Sequence, residues 1–213
     1  NLANARFGEV IVPTAAAVTK DDVQTSLTAV SPDNSFVDVM TALFNGIGQL
    51  FFAKDVIAGI LIIVGLAIAS RIVALFALVG SAVGMGTGLA LGASGAAIYD
   101  GLWGFNSFDA ALAIAGVFYV LTWRSAFLGV ACAVVAALMF GAIGNLFAPW
   151  GLPALTLPFC FATLAFVLIK GASSKLRPVE VEDITTPEEH LRRMRGEHSA
   201  GVGRDAVGAL RDA

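Results

Sequence analysis

Charge is scarce in this sequence. Asp, Glu, Lys and Arg make up 14% of its residues, against about 25% in an ordinary soluble domain, while 57% are hydrophobic and the mean hydropathy is +0.82. A chain this poor in charge is expected to be embedded in a lipid bilayer. The two signs nearly balance, at a net charge of −3, which leaves no basic face for nucleic acid. Cysteine occurs only as Cys132 and Cys160, each inside an apolar run and without CxxC spacing. That excludes a disulfide framework and leaves two small buried hydrophobes. The only histidines, His190 and His198, fall in the polar C-terminal region and read as surface residues. No Ser/His/Asp set, paired carboxylates or metal-ligand cluster converges in the apolar runs, so the chain does not read as an enzyme and needs no cofactor. It begins with Asn1 rather than Met, and no signal-peptide pattern follows. A fragment of something longer is therefore expected.

What is present is a series of apolar runs. Residues 1–34 are polar and mixed and read as a linker. The run over residues 36–52 is apolar but short, with Gly46 and Gly48 inside it. Because a span needs about 20 residues, this run predicts a re-entrant half-helix. Five spans follow at roughly 56–70, 72–93, 107–122, 125–147 and 153–170. The stretch AIYDGLWGFN before the third is too polar and glycine-rich for a plain helix. From Ala172 the chain turns polar. There Thr186, Pro187 and Glu189 form an N-cap, first position and third position of a short helix stopping at Gly196.

Charge orients this plan. If Lys170, Lys175 and Arg177 are cytoplasmic, counting back puts Arg124 and Arg71 inside too, and Lys54, Asp55 and Asp100 outside. Residues 1–34 then form an extracellular linker, 35–171 the transmembrane unit, and 172–213 a cytoplasmic polar tail. An odd span number suits an inverted-repeat transporter, in which a second copy lies upside down and sites form where broken helices end. Only one such unit is visible in this chain.

Three stretches carry the chemistry. In LPALTLPF, residues 152–159, Pro153 and Pro158 bracket Thr156. Each proline lacks an N–H and frees a carbonyl upstream, which a membrane tolerates only against protein or a wet cavity. Either a helix end points into a pathway, or a plain kink leaves Thr156 bonded back to its own helix. In FNGIGQLFF, residues 44–52, Gln49 sits near the tip of the half-helix with Phe52 three residues on. An aromatic face beside a polar acceptor suits a flat, polar, uncharged molecule. Lipid-facing phenylalanines with Gln49 as interhelical glue are the plainer reading. In GLWGFNS, residues 101–107, Ser107 reads as an N-cap and Asp109 as a first-turn acid, with ion coupling by Asp109 the alternative.

Together these stretches resemble the urea transporter family. LPALTLPF is similar to the family signature LPxxTxPF. GLWGFNS followed by ALAIAGVFYVLTW resembles the family's GLWGYN segment and its next helix. GIGQLFF resembles the half-helix that opens each family repeat, and the resemblance covers roughly residues 36–170 in the family's order. It implies an all-α integral membrane fold: five transmembrane helices plus one re-entrant half-helix, the second half of an inverted repeat. It further implies a homotrimer in the plasma membrane, a missing first repeat as partner, and single-file passage of urea through a phenylalanine-lined slit. On that resemblance Gln49, Leu50, Phe52, Leu102 and Thr156 line the path. The single repeat, Asp109 and the long polar tail depart from the family pattern.

Urea is planar and neutral, with four N–H bonds and one carbonyl. Oxygens at broken helix ends, with Gln49 and Thr156, would replace its lost water one after another. A narrow apolar slit cannot repay the desolvation of an ion, so passage is expected to be passive and selective for neutral solutes. A channel for ammonia, water or a short amide, and a non-transporting half-repeat that binds another membrane protein, are the competing readings.

Overall fold

The computed structural model describes residues 35–169 and 176–196. The expected linker, the expected boundary at 171/172 and His198 lie outside the described residues. Within them every regular element is helical, apart from one isolated β-bridge.

Helix α1 (Ser35–Gly48) runs into a single 3-10 turn at Gln49–Phe51 and stops. Phe52 adopts the left-handed conformation, φ 56°, and its N–H closes on the Gln49 carbonyl at 2.9 Å. Asp55 then starts α2 (Val56–Ala69), its carboxylate accepting from the amides of Ile57 (2.6 Å) and Ala58 (3.2 Å). The two pieces meet at 74°, the break expected from the short run. A single extended residue, Ser70, separates α2 from α3 (Arg71–Ala90). Short α4 (Gly95–Tyr99) leads through a glycine turn to α5 (Phe105–Leu112), which widens into a π-helical turn at Ala113–Phe118. Thr122 and Ser125 form a reciprocal capping box that opens α6 (Trp123–Phe147). A 3-10 turn, Ala148–Trp150, and a break precede α7 (Leu157–Leu168).

Helix α5 is central, packed against α3, α6 and α7. Small residues make this closeness possible, as is usual where helices meet in lipid. Gly80, Gly84 and Gly88 form one stripe of α3, and a side chain on Gly80 would strike the backbone of Ser107 and Phe108, on Gly84 the Trp103 carbonyl, and on Gly88 the Trp103 ring. Ala110 and Ala111 of α5, Ala115 of the π-helical turn, and Ala133, Ala136 and Ala137 of α6 are fully buried. Among the described residues two stretches are long and apolar enough to cross a membrane, α3 and residues Trp123–Trp150, and the bent α1–α2 pair makes a third if taken as one span. Phe105–Phe118 and α7 are apolar but shorter.

Some local expectations fail. Ser107 does not cap α5, which starts two residues earlier; its hydroxyl instead donates to the Ala133 carbonyl of α6 at 2.9 Å. Asp109 therefore falls in the second turn, beyond reach of the helix N-terminus. Cys160 is exposed, whereas Cys132 is buried as expected, and both are free.

The polar tail folds back onto the helix ends. Val120 N–H donates to the Arg177 carbonyl and Val179 N–H to the Phe118 carbonyl, each at 2.9 Å. A helix over 187–196, α8, is capped by Thr186, whose hydroxyl accepts from the Glu189 amide at 3.4 Å. His190 is not a surface residue: it is 5% exposed, with Nε2 beside the Asp183 carbonyl (3.1 Å) and the Thr185 amide (3.2 Å). Glu188 reaches 118 residues back along the chain, accepting from Ser70 Oγ at 2.6 Å and, 116 residues back, from the Ile72 amide at 3.0 Å. An anion thus sits on the amino end of α3, satisfying one of its orphan N–H groups. Partial burial alone would raise the pKa of this carboxyl, but the hydrogen bonds from Ser70 and Ile72 outweigh burial and hold it below the ordinary glutamate range. A depressed carboxyl stabilises docking above its unfolded value and loses that contribution as pH falls through its folded value. Limited proteolysis is expected to show the tail protected at neutral pH, more cleavable as pH falls through the lowered range of this carboxyl, and cleavable at neutral pH in Glu188→Ala.

Candidate functional site

Two interrupted helix ends make up the candidate site. At the first, Asn45 and Gln49 lie four residues apart on one face of α1. Asn45 Nδ2 donates to the Tyr99 carbonyl at 2.9 Å and Gln49 Nε2 to the Asp100 carbonyl at 2.8 Å. A carbonyl only accepts, so the orientation of the Gln49 amide is fixed. Its NH2 is engaged, and Oε1 has no partner among the described residues. The approach is close because Gly101, with φ +80°, carries no side chain where α1 passes. Lys54 forms an ion pair with the Asp100 carboxylate at the same corner. Leu50 is half-buried against the Ile47–Ala77–Phe108 cluster, and Phe52 is 74% exposed.

The second end is the LPALTLPF stretch. Gly151 (φ 66°) ends the preceding turn, Leu155 is left-handed (φ 48°), and Thr156 (φ −90°, ψ 0°) begins α7. The backbone turns here instead of kinking a continuous helix. Asn106 of α5, fully buried, holds the turn from both sides. Its Nδ2 donates to the Leu155 carbonyl and its Oδ1 accepts from the Phe159 amide, both at 3.0 Å. Thr156 is exposed and its hydroxyl makes no capping bond.

Gln49 and Thr156 are not bonded to each other. They are tied to opposite ends of one segment, residues 100–106: Asp100 receives Gln49, and Asn106 grips the backbone on either side of Thr156. Leu102, within that segment, is half-buried against the cluster containing Trp103, Phe105, Phe140 and Ala154. Sequence reasoning missed Asn45 and Asn106 as organisers. The signal was an Asn in an apolar run four residues before Gln49, and another closing the glycine turn.

Chemically, an amide oxygen beside exposed Phe51 and Phe52, and a hydroxyl beside exposed Leu155, stand without partners among the described residues. These groups offer acceptors to a solute rich in N–H, and the charges nearest Gln49, Lys54 and Asp100, are paired with each other. Among the described residues no group of three or more His, Cys, Asp or Glu gathers to hold a metal.

Comparison with known proteins adds an independent line. A family model described as Urea transporter matches residues 8–171. Urea transporter 1 of Ovis aries and of Capra hircus are each 36% identical over 159 residues, which is 75% of this chain and 41% of theirs. Urea transporter 1 of Rattus norvegicus is 35% identical over 156 residues, 73% of this chain and 41% of its own. The chain thus spans about two fifths of the length of these curated relatives.

Proposed function

The chain belongs to the urea transporter family, a family of membrane proteins, and on that footing we propose that it is one repeat of a passive, channel-like path for urea. The observation that carries this reading is the pair of interrupted helix ends whose free acceptors are Gln49 Oε1 and Thr156 Oγ1. Urea's N–H groups exchange water for these oxygens in turn, while Phe52, Leu50 and Leu102 hold the slit narrow and apolar. Ions are turned back because nothing on the walls replaces their hydration. In this plan α2, α3, α5 with its π turn, α6 and α7 are the five spans and α1 is the re-entrant half-helix. A counterpart first repeat supplies the opposite wall, three such pores assemble, and the tail faces the cytoplasm across the plasma membrane.

The test is stopped-flow urea flux in proteoliposomes carrying the complete gene product. Flux should be competed by thiourea more strongly than by acetamide and should be indifferent to proton and sodium gradients. Flux that follows either gradient, or a pore that passes water or ammonia but not urea, overturns the proposal.

A further inference from the structure

Thr156 occupies the N-cap position of α7, where threonine normally folds its hydroxyl over the amide two or three residues on. Residue 158 is proline and has no amide, so the Phe159 N–H is the one capping donor within its reach. Asn106 Oδ1 already holds that donor, at 3.0 Å, from a different helix. The other half of the Asn106 amide holds the Leu155 carbonyl, also at 3.0 Å, and Leu155 is the left-handed residue that swings the chain into the turn. Both assignments are forced, since an amide nitrogen in the backbone only donates and a carbonyl only accepts. The Thr156 hydroxyl is left with no partner among the described residues.

We propose that Asn106 is a positioning residue for solute passage: by capping α7 in place of Thr156, it keeps the Thr156 hydroxyl free for the solute. The idea rests on the reading of Thr156 as part of the path. Without Asn106, the Phe159 amide becomes an unsatisfied buried donor, and the nearest acceptor able to answer it is Thr156 Oγ1. The hydroxyl then turns inward, and the path loses an acceptor although Thr156 is still present. Simple support of the fold predicts something different, namely a loss that adds to any loss at Thr156.

A double-mutant cycle on urea flux separates the two. Thr156→Val should lower flux about tenfold, the effect of one lost hydrogen bond. Asn106→Ala should lower it by a similar factor, and the double variant should be no slower than either single one. Losses that multiply, or an Asn106→Ala protein with normal flux beside a slowed Thr156→Val, overturn the proposal while leaving the channel reading intact. Normal flux in both single variants removes the Thr156 path reading and the proposal with it. Should Asn106→Ala fail to fold, Asn106→Asp carries the test. A protonated aspartic acid reproduces both bonds, with its O–H to Leu155 and its C=O to Phe159. Its flux relative to wild type should stay near normal or rise toward normal as pH is lowered; flux pinned at the Thr156→Val level at every pH overturns the proposal.

Discussion

Gly101→Ala is expected to unfold far earlier than wild type and to leave little folded protein. At φ +80° an alanine sits in the left-handed region, at about 1–2 kcal/mol. Its methyl group would also overlap the Gly46 amide nitrogen and the Asn45 carbonyl carbon, and these are backbone atoms that no rotamer change can clear. The end of α1 must lift away from the turn. Lifting it breaks the Asn45–Tyr99 and Gln49–Asp100 bonds together and strands their buried groups, at about 1–3 kcal/mol each. The sum approaches the whole stability of a typical domain, about 5–15 kcal/mol. Thermal unfolding in detergent, with yield of monodisperse protein, measures it. Gly65→Ala in α2 is the control: nothing lies within 4 Å of its new methyl group, and alanine favours helix by about 1 kcal/mol over glycine. If Gly101→Ala unfolds no earlier than Gly65→Ala, the close crossing of α1 over the turn is refuted.

Gln49→Leu is expected to give a folded protein that conducts urea about tenfold to a hundredfold more slowly. Leucine matches glutamine in bulk, so the packing beside Leu50 is kept and Asn45 still anchors α1 through Tyr99. What goes is the acceptor Oε1, together with the Nε2 bond to the Asp100 carbonyl, and a solute crossing a dry constriction without that acceptor forfeits about 1–3 kcal/mol of hydrogen bonding at that point. Gln49→Glu tests the orientation of the amide as well as its presence. A carboxylate cannot donate to the Asp100 carbonyl, so it must turn away from the position that Nε2 holds at 2.8 Å. Both variants should show lowered urea flux in a protein that still folds, since Asn45 keeps its bond to the Tyr99 carbonyl. Wild-type flux in Gln49→Leu removes Gln49 from the path.

The breaks in this fold were legible because they are written locally. Gly46 and Gly48 in a run too short to span announced the 74° bend, and Pro153 and Pro158, three residues before and two after Thr156, announced the turn before α7. What holds the breaks open was not legible, because the partners are remote in sequence. Asn106 meets Leu155 and Phe159 across 49 and 53 residues, and Glu188 meets Ser70 across 118. Ser107 misled for the same reason. A serine after a glycine turn is a good local cap, but here the Ala133 carbonyl of a neighbouring helix claims its hydroxyl, and α5 starts at Phe105 without it. His190 looked like a surface residue because its surroundings are charged. Its burial comes from the tail folding back on itself, which composition does not encode. The lengths were harder still: α2 has 14 residues, about 21 Å of helix against a hydrocarbon core of about 30 Å, so hydropathy alone does not separate a short crossing from a half-crossing.

The grip of Glu188 on Ser70 and Ile72 bears on how this molecule should be handled at the bench. Trimming a polar tail at the lipid boundary is a common step before crystallisation. A stop codon there would uncover the start of α3 and remove the β-bridge that Pro178 makes with Tyr119. Shortened versions should therefore retain residues 176–196, which carry Pro178 and Glu188.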